Sequence, residues 1–96
     1  MKPGDILAST WGYDATIVSF YIVNRRTKHF VELFKLKKES EGGMFPWVRP
    51  YKNELGHVQV VGEKFKKKAY DEHVYINEYQ CAYVWDGKDI QEDWSR

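Results

Sequence analysis

The chain has 96 residues, 43% of them hydrophobic and 17% aromatic, and its formal net charge is +1. This length predicts a single β-rich domain over residues 1–96, and the hydrophobic content excludes a disordered chain. Residues 1–68 carry 13 Lys or Arg against 7 Asp or Glu, whereas residues 69–96 carry 2 against 7. The two signs either neutralise each other within the fold or form separate faces.

The cysteine count and the apolar runs limit the cellular setting. Cys81 is the one cysteine, so the chain can form no intrachain disulfide and no cysteine-based zinc site. No stretch approaches the ~20 apolar residues of a membrane span. No long apolar run of the kind found in signal peptides follows residues 1–5. We therefore expect a cytoplasmic protein without a membrane partner.

The first half of the chain reads as strands. Asp5–Ser9 predicts a short strand, and Thr10–Thr16 predicts a loop rich in aromatic residues. Ile17–Asn24 and His29–Lys37 are dominated by β-branched and aromatic residues, as strands are. Because only the polar residues 25–28 separate them, we expect these two strands to form an antiparallel hairpin.

The middle of the chain is less regular. Residues 37–43 are charged and end in two glycines, so they predict a loop. Pro46 and Pro50 disfavour both a helix and a central strand, which predicts that Met44–Tyr51 is an extended edge segment. An exposed edge there would permit dimerisation by strand pairing. His57–Glu63 predicts a further strand.

Two alternatives stay open near the C-terminus, after a short strand predicted at Val74–Ile76. Tyr79, Ala82 and Tyr83 have the spacing of one helix face, which predicts a short helix near residues 77–84. The end of the same segment equally fits a strand. The fold prediction is mainly β: a small, strongly bent antiparallel sheet or an SH3-like barrel, with or without this helix.

Catalytic patterns are missing from the sequence. His29, His57 and His73 lack the spacing of a metal-binding helix, and no nucleophile motif or glycine-rich phosphate loop is present. Asp86 and Asp89 flank a glycine turn, where acidic residues usually serve the turn itself. We therefore predict that the protein is not an enzyme and has no cofactor and no metal.

Aromatic residues favour a binding module with a protein partner. Trp11 and Tyr13 lie in the predicted loop, and Trp47 and Tyr51 lie in the extended segment. Aromatic side chains either close a small core or form the anchors of an interface. In the second case, these four residues are the predicted protein-binding site.

Basic residues support an alternative, a small β-barrel that binds nucleic acid. Lys and Arg neutralise phosphates while aromatic rings stack on bases, and the two residue types are interleaved here. This prediction requires the basic residues to share one face, and the near-neutral net charge counts against it. The candidates are Arg25, Arg26, Lys28, Arg49, Lys66, Lys67 and Lys68.

Two segments also carry a resemblance. The residues concerned are Gly4-Asp5-Ile6-Leu7, Ser9, Trp11-Gly12-Tyr13, Thr16, Val18, Phe20-Tyr21 and Val23, and then Tyr75-Ile76-Asn77, Tyr79, Ala82 and Trp85-Asp86-Gly87-Lys88. In these positions the chain resembles a group of small, uncharacterised proteins encoded by bacteriophages and prophages. The resemblance implies a phage-derived protein that acts in the host cytoplasm, on a host or phage protein. It implies no catalytic residues.

Overall fold

The computed structural model describes residues 1–12 and 15–93, and every regular element in those ranges is a β-strand. In chain order, the strands are β1 (Ile6–Trp11), β2 (Ile17–Arg26), β3 (Phe30–Leu36), β4 (Lys38–Ser40), β5 (Trp47–Pro50), β6 (Val60–Lys68), β7 (His73–Asn77), β8 (Gln80–Val84) and β9 (Ile90–Gln91). The predicted hairpin is present as β2 and β3, which pair antiparallel.

Six strands form one curled antiparallel sheet in the order β6-β3-β2-β1-β8-β7. β6 and β7 stand at opposite ends of this order, yet a tight turn joins them, in which the Tyr70 N–H donates to the His73 carbonyl at 3.3 Å. The sheet therefore curls into a half-barrel whose first and last strands adjoin at that turn. The prediction of a small, strongly bent, barrel-like antiparallel fold is confirmed.

β4, β5 and β9 form a second, three-stranded sheet in which β5 is the middle strand. The prediction that Met44–Tyr51 is an edge is therefore wrong at β5, where Trp47 pairs with Gln91 of β9. The prolines fit because Pro46 precedes the strand and Pro50 ends it, so no interior bond needs their missing N–H. The strand pairing expected to serve a dimer is used within the chain at this point.

Residues 77–84 form a turn and a strand, so the helix alternative is wrong. The Asn77 side-chain oxygen accepts the Tyr79 N–H at 2.8 Å and shapes the turn after β7. β8 then pairs with β1 on one side and β7 on the other. Burial alternates as in a strand, since Ala82 is fully buried and Tyr83 is 57% exposed. Pairing with β1 and β7 satisfies the backbone hydrogen-bonding groups of β8, whereas a helix here would leave the edge of β1 unpaired.

β2 is buried on both faces, which gives the molecule two hydrophobic clusters. Tyr21 and Val23 lie on the face inside the curl, hereafter the inner face; Val18 and Phe20 lie on the outer face. All six strands of the curled sheet contribute to the inner cluster, which contains Leu7, Tyr21, Val23, Val31, Leu33, Phe65, Val74 and Ala82. On the outer face, Val18, Phe20 and Leu36 pack against Val48 of β5, so the second sheet covers the middle of this face.

A buried carboxylate ties the two sheets together. Glu92, which follows β9, accepts the Val18 N–H of β2 at 2.7 Å and the Lys38 ammonium of β4 at 2.6 Å. The same Lys38 ammonium donates to the Val18 carbonyl at 2.6 Å. The Glu92 side chain is only 3% exposed, so these contacts are largely shielded from water. Three segments distant in sequence therefore meet at one ionic cluster.

We expect Glu92→Ala to lower the free energy of unfolding by about 2 kcal/mol or more, because it leaves the buried Val18 N–H and the Lys38 ammonium without this acceptor. Glu92→Gln keeps an acceptor oxygen and should lose less. Urea denaturation followed by circular dichroism measures both. Equal stability of Glu92→Ala and the parent chain would show that this cluster does not hold the sheets together.

Candidate functional site

A row of charged side chains crosses three strands on the outer face of the half-barrel. Arg25 of β2 lies opposite Glu32 of β3, and Glu32 lies opposite Lys66 of β6. Directly opposite residues of antiparallel strands point to the same side of a sheet, so these three share the outer face. Lys64, two residues before Lys66, joins them with its ammonium 3.7 Å from the Glu32 carboxylate.

The next row carries an exposed ring beside a lysine. Phe30 lies opposite Lys68 and is 53% exposed. The Lys68 ammonium lies 5.5 Å from the centroid of the Tyr70 ring, which is within the range of a cation–π contact. Lys68 therefore connects the charged row to Tyr70, an aromatic residue in the turn between β6 and β7.

Four aromatic rings form a cluster on the same face. Tyr70 and His73 are stacked, with centroids 4.7 Å apart and an interplanar angle of 4°, and Tyr75 stands edge-on to both. Tyr83 lies opposite His73 in the pairing of β7 with β8, and their ring centroids are 5.8 Å apart. More than half of the Tyr75 and Tyr83 side-chain surface is open to solvent. The cluster is thus an exposed platform.

These rows and rings adjoin, and together they are called the aromatic–basic surface. Its members are Arg25, Phe30, Lys64, Lys66, Lys68, Tyr70, His73, Tyr75 and Tyr83. Two acidic residues of the turn between β6 and β7, Asp71 and Glu72, border it on one side.

Glu32 stays ionised within the charged row. A hydrogen bond from the Asn24 side chain, 2.5 Å long, is the largest cause that lowers the pKa of Glu32, and the positive charges of Lys64, Lys66 and Arg25 lower it further. Partial desolvation opposes these effects. A single carboxylate thus faces three cations, and the row keeps an excess of positive charge.

The tyrosine platform is uncharged at Tyr83. A hydrogen bond with Cys81 and the charge that Cys81 would carry raise the pKa of Tyr83, with desolvation and Tyr75 adding to the effect. The Tyr83 hydroxyl, which an ordinary tyrosine pKa already keeps protonated at neutral pH, therefore stays protonated to a higher pH.

The predicted nucleic-acid residues are only partly brought together. Arg25, Lys66 and Lys68 share the outer face, but Lys67 points to the opposite face, where its ammonium lies 6.0 Å from the Phe65 ring. Lys28 is exposed in the connection between β2 and β3.

Two arginines of that prediction form contacts in other parts of the fold. The Arg26 guanidinium donates to the carbonyls of Thr27 and Lys28 within the hairpin connection. Arg49 belongs to the second sheet, where it binds Glu39 and Asp89, each at 2.9 Å, and the hydrogen bond to Glu39 is the first cause that raises its pKa. Neither side chain belongs to the aromatic–basic surface.

Three of the four predicted protein-binding residues are described, and they lie in different parts of the fold. Trp11 ends β1 in the curled sheet, where its indole N–H donates to the Ser19 hydroxyl at 2.9 Å. Trp47 begins β5 of the other sheet and is 46% exposed. Tyr51 is half-buried beneath the Lys37 ammonium, 4.6 Å from its ring centroid. Tyr13 lies outside the described residues.

The sequence patterns did not predict the cluster of four aromatic rings. His73 and Tyr75 alternate along β7, and Tyr83 recurs on the neighbouring strand. An alternating aromatic pair in a short strand is a signal of an exposed sheet face. The signal predicts the full cluster only when residues 80–84 form a strand. In the helix alternative, Tyr83 would not lie opposite His73.

Glu32 predicts an acid-sensitive contribution to stability. A carboxyl group whose pKa is lowered by folding stabilises the fold above its unfolded value, near 4.3, and loses this contribution as pH falls through the lower folded value. We therefore expect the thermal midpoint to fall with pH below about 4, and Glu32→Gln to reduce that dependence. Thermal melts between pH 3 and 7 provide the measurement. Identical pH profiles for the two proteins would rule out this role.

Within the described ranges, no helix is long and apolar enough to cross a membrane, and no group of three or more His, Cys, Asp or Glu residues is placed to hold a metal ion. Comparison of the chain with family models, with curated proteins and with solved structures gives no match.

Proposed function

We propose that the protein is a non-enzymatic binding module that holds single-stranded nucleic acid on the aromatic–basic surface. One observation carries the proposal: Lys68 joins a row of cations to a cluster of four rings on a face that the second sheet leaves open. The surface therefore offers the two kinds of group that such a strand requires, side by side.

The chemistry favours a single strand over a duplex. Bases of a single strand expose their faces and stack on aromatic side chains, whereas those of a duplex are already stacked on one another. Tyr75 and Tyr83 present the most open rings of the cluster. Lys64, Lys66 and Lys68 follow at every second residue of β6, a spacing of about 6.6 Å, and can neutralise successive phosphates.

The uneven charge of the chain supports the same proposal. Arg49 is neutralised by acidic partners in the second sheet, and much of the acidic C-terminal part lies away from β6, as Asp89 and Glu92 illustrate. The near-neutral net charge therefore hides a local excess of cations on one face. Asp71 and Glu72 limit this excess at the turn, so we expect moderate affinity with clear salt dependence.

We expect Lys66→Gln/Lys68→Gln to weaken binding of fluorescent single-stranded dT20 and to make its salt dependence shallower. The slope of log K against log salt concentration should become less negative by about 0.7 for each lost phosphate contact. Fluorescence anisotropy at several salt concentrations measures both. Lys67→Gln is the matched control, because this neighbour points to the other face.

Two results would contradict the proposal. The first is the absence of dT20 binding to the parent chain at low salt. The second is a loss of affinity per substituted lysine that is the same in Lys67→Gln as in Lys66→Gln/Lys68→Gln, because non-specific attraction does not depend on the face that carries the charge.

Tyr75 tests the stacking half of the proposal. Tyr75→Ala should weaken dT20 binding by about 1–3 kcal/mol without changing the salt slope, and Tyr75→Phe should bind like the parent chain because it keeps the ring. Parallel circular dichroism spectra confirm that each variant is folded. Full affinity in Tyr75→Ala would mean that this ring stacks on no base.

A protein partner is the second candidate function, and a separate patch favours it. Met44, Phe45 and Trp47 are 59%, 51% and 46% exposed and lie close together in sequence at the start of β5. Exposed aromatic and Met side chains are the residues that anchor protein interfaces. A host or phage protein captured by the parent chain but not by Trp47→Ala would support this function, as the resemblance to phage-encoded proteins of the host cytoplasm suggests.

A further inference from the structure

A concave feature lies at the rim of the half-barrel, where β1 ends and β7 turns into β8. It is an open cleft of about 730 Å³, within the size range of small-molecule sites. Its described lining consists of Thr10, Trp11, Gly12, Asn77, Tyr79 and Gln80. Two aromatic residues and two carboxamides therefore face this space, and none of these side chains is charged.

The two carboxamides are held in place by their own contacts. Gln80 is 6% exposed, and its side-chain N–H donates to the buried Tyr21 hydroxyl at 2.9 Å. The Asn77 oxygen is fixed by the Tyr79 N–H, and the Asn77 nitrogen lies 3.5 Å from the Gln80 oxygen. Both amide oxygens are thus engaged, whereas each amide nitrogen has a second hydrogen to donate. Because Gln80 is nearly fully buried and Asn77 is exposed, the Asn77 nitrogen is the donor that the cleft offers to a ligand.

The inner face behind Trp11 is polar as well. The Trp11 indole donates to the Ser19 hydroxyl, and Ser9, directly opposite Ser19, is 1% exposed. The Ser9 hydroxyl has no hydrogen-bond partner among the protein groups described. Buried hydroxyls are seldom left without a partner, so Ser9 is an unusual polar group on the inner face, although it does not line the cleft itself.

The aromatic residues define the shape of that ligand. Trp11 is 38% exposed, and Tyr79, at the tip of the turn, is 89% exposed. A solvent-exposed tyrosine beside an indole offers ring faces on which a flat group can stack. An uncharged ring with a carbonyl oxygen at its edge matches both the ring faces and the free Asn77 amide hydrogen.

The cleft is also within reach of the aromatic–basic surface. β7 begins at His73, in the ring cluster, and ends at Asn77, in the cleft. At 3.3 Å per residue, the two ends are about 13 Å apart. A strand that crosses Tyr75 can therefore continue to the rim.

We propose that this cleft binds one nucleobase that carries carbonyl oxygens, as thymine and uracil do, and that it supplies the base preference of the nucleic-acid surface. The latter half of this proposal rests on the proposed function. The base can come from a bound strand or from a free nucleoside, since both present the same ring.

The test uses the full chain and three probes: thymidine, adenosine and single-stranded dT10. The NMR signal of the Trp11 indole N–H reports on the cleft. We expect thymidine and dT10 to move this signal and adenosine to move it less. Tyr79→Ala should weaken dT10 binding at least about fivefold, with the salt slope unchanged. Tyr79→Phe and Glu78→Asp are the controls and should bind dT10 like the parent chain, because the first keeps the ring and the second keeps the neighbouring charge.

Each outcome separates the two proposals. If dT10 binds with the expected salt dependence while the Trp11 signal stays still and Tyr79→Ala binds normally, the cleft proposal is overturned and the proposed function stands. If thymidine moves the Trp11 signal in the parent chain but not in Tyr79→Ala, and no strand binds, the cleft takes a free nucleoside and the proposed function fails. If no probe moves the signal, the cleft is not a base site.

Discussion

Burial of β2 on both faces is the constraint from which the rest of the architecture follows. A strand with Tyr21 and Val23 on one side and Val18 and Phe20 on the other must be covered twice. The inner side is covered when the six-stranded sheet curls on itself. The outer side is covered by Val48 and Ile90 of the small second sheet, which the Glu92 carboxylate fastens to β2 and β4. Both covers come from a chain of 96 residues, so neither is large.

The small size of the second sheet determines which strands of the curled sheet keep their outer side chains exposed to solvent. Its three strands cover the outer face over β2 and the end of β3, and they leave β6, β7 and β8 open. The open strands carry lysines at alternate positions and rings that pack mainly on one another. Aromatic surface left in water costs free energy that burial would recover. The proposed function gives the stacked Tyr70–His73 pair and the two open tyrosines beside it a role as a recognition surface.

Much of the fold was readable from local sequence patterns. The β-branched and aromatic runs located β2 and β3, and their short polar connection predicted their pairing. What sequence alone could not supply was long-range pairing. Pro46 and Pro50 argue for an edge, but β5 became a middle strand because β9 returns from the far end of the chain to pair with Trp47. Likewise, the spacing of Tyr79, Ala82 and Tyr83 fits a helix, but residues 82–84 form a strand because they pair with β1.

The site was harder to predict for the same reason. The lysines of β6 were visible as a charged run, yet only the register shows that Lys66 and Lys68 join Arg25 while Lys67 turns away. Arg49 was a candidate for phosphate binding, but its guanidinium forms salt bridges with Glu39 and Asp89. The platform depends on four residues from a turn and two strands, which no single sequence window contains.

The most direct test of the central claim is an NMR map of the backbone amides during titration with single-stranded dT10. If the aromatic–basic surface binds the strand, the shifted amides will trace the outer face along β6, β7 and β8, including Lys66, Lys68, Tyr75 and Tyr83. Little change is expected in the second sheet around Trp47. Shifts centred on Met44, Phe45 and Trp47, or no shifts at low salt, would contradict the account.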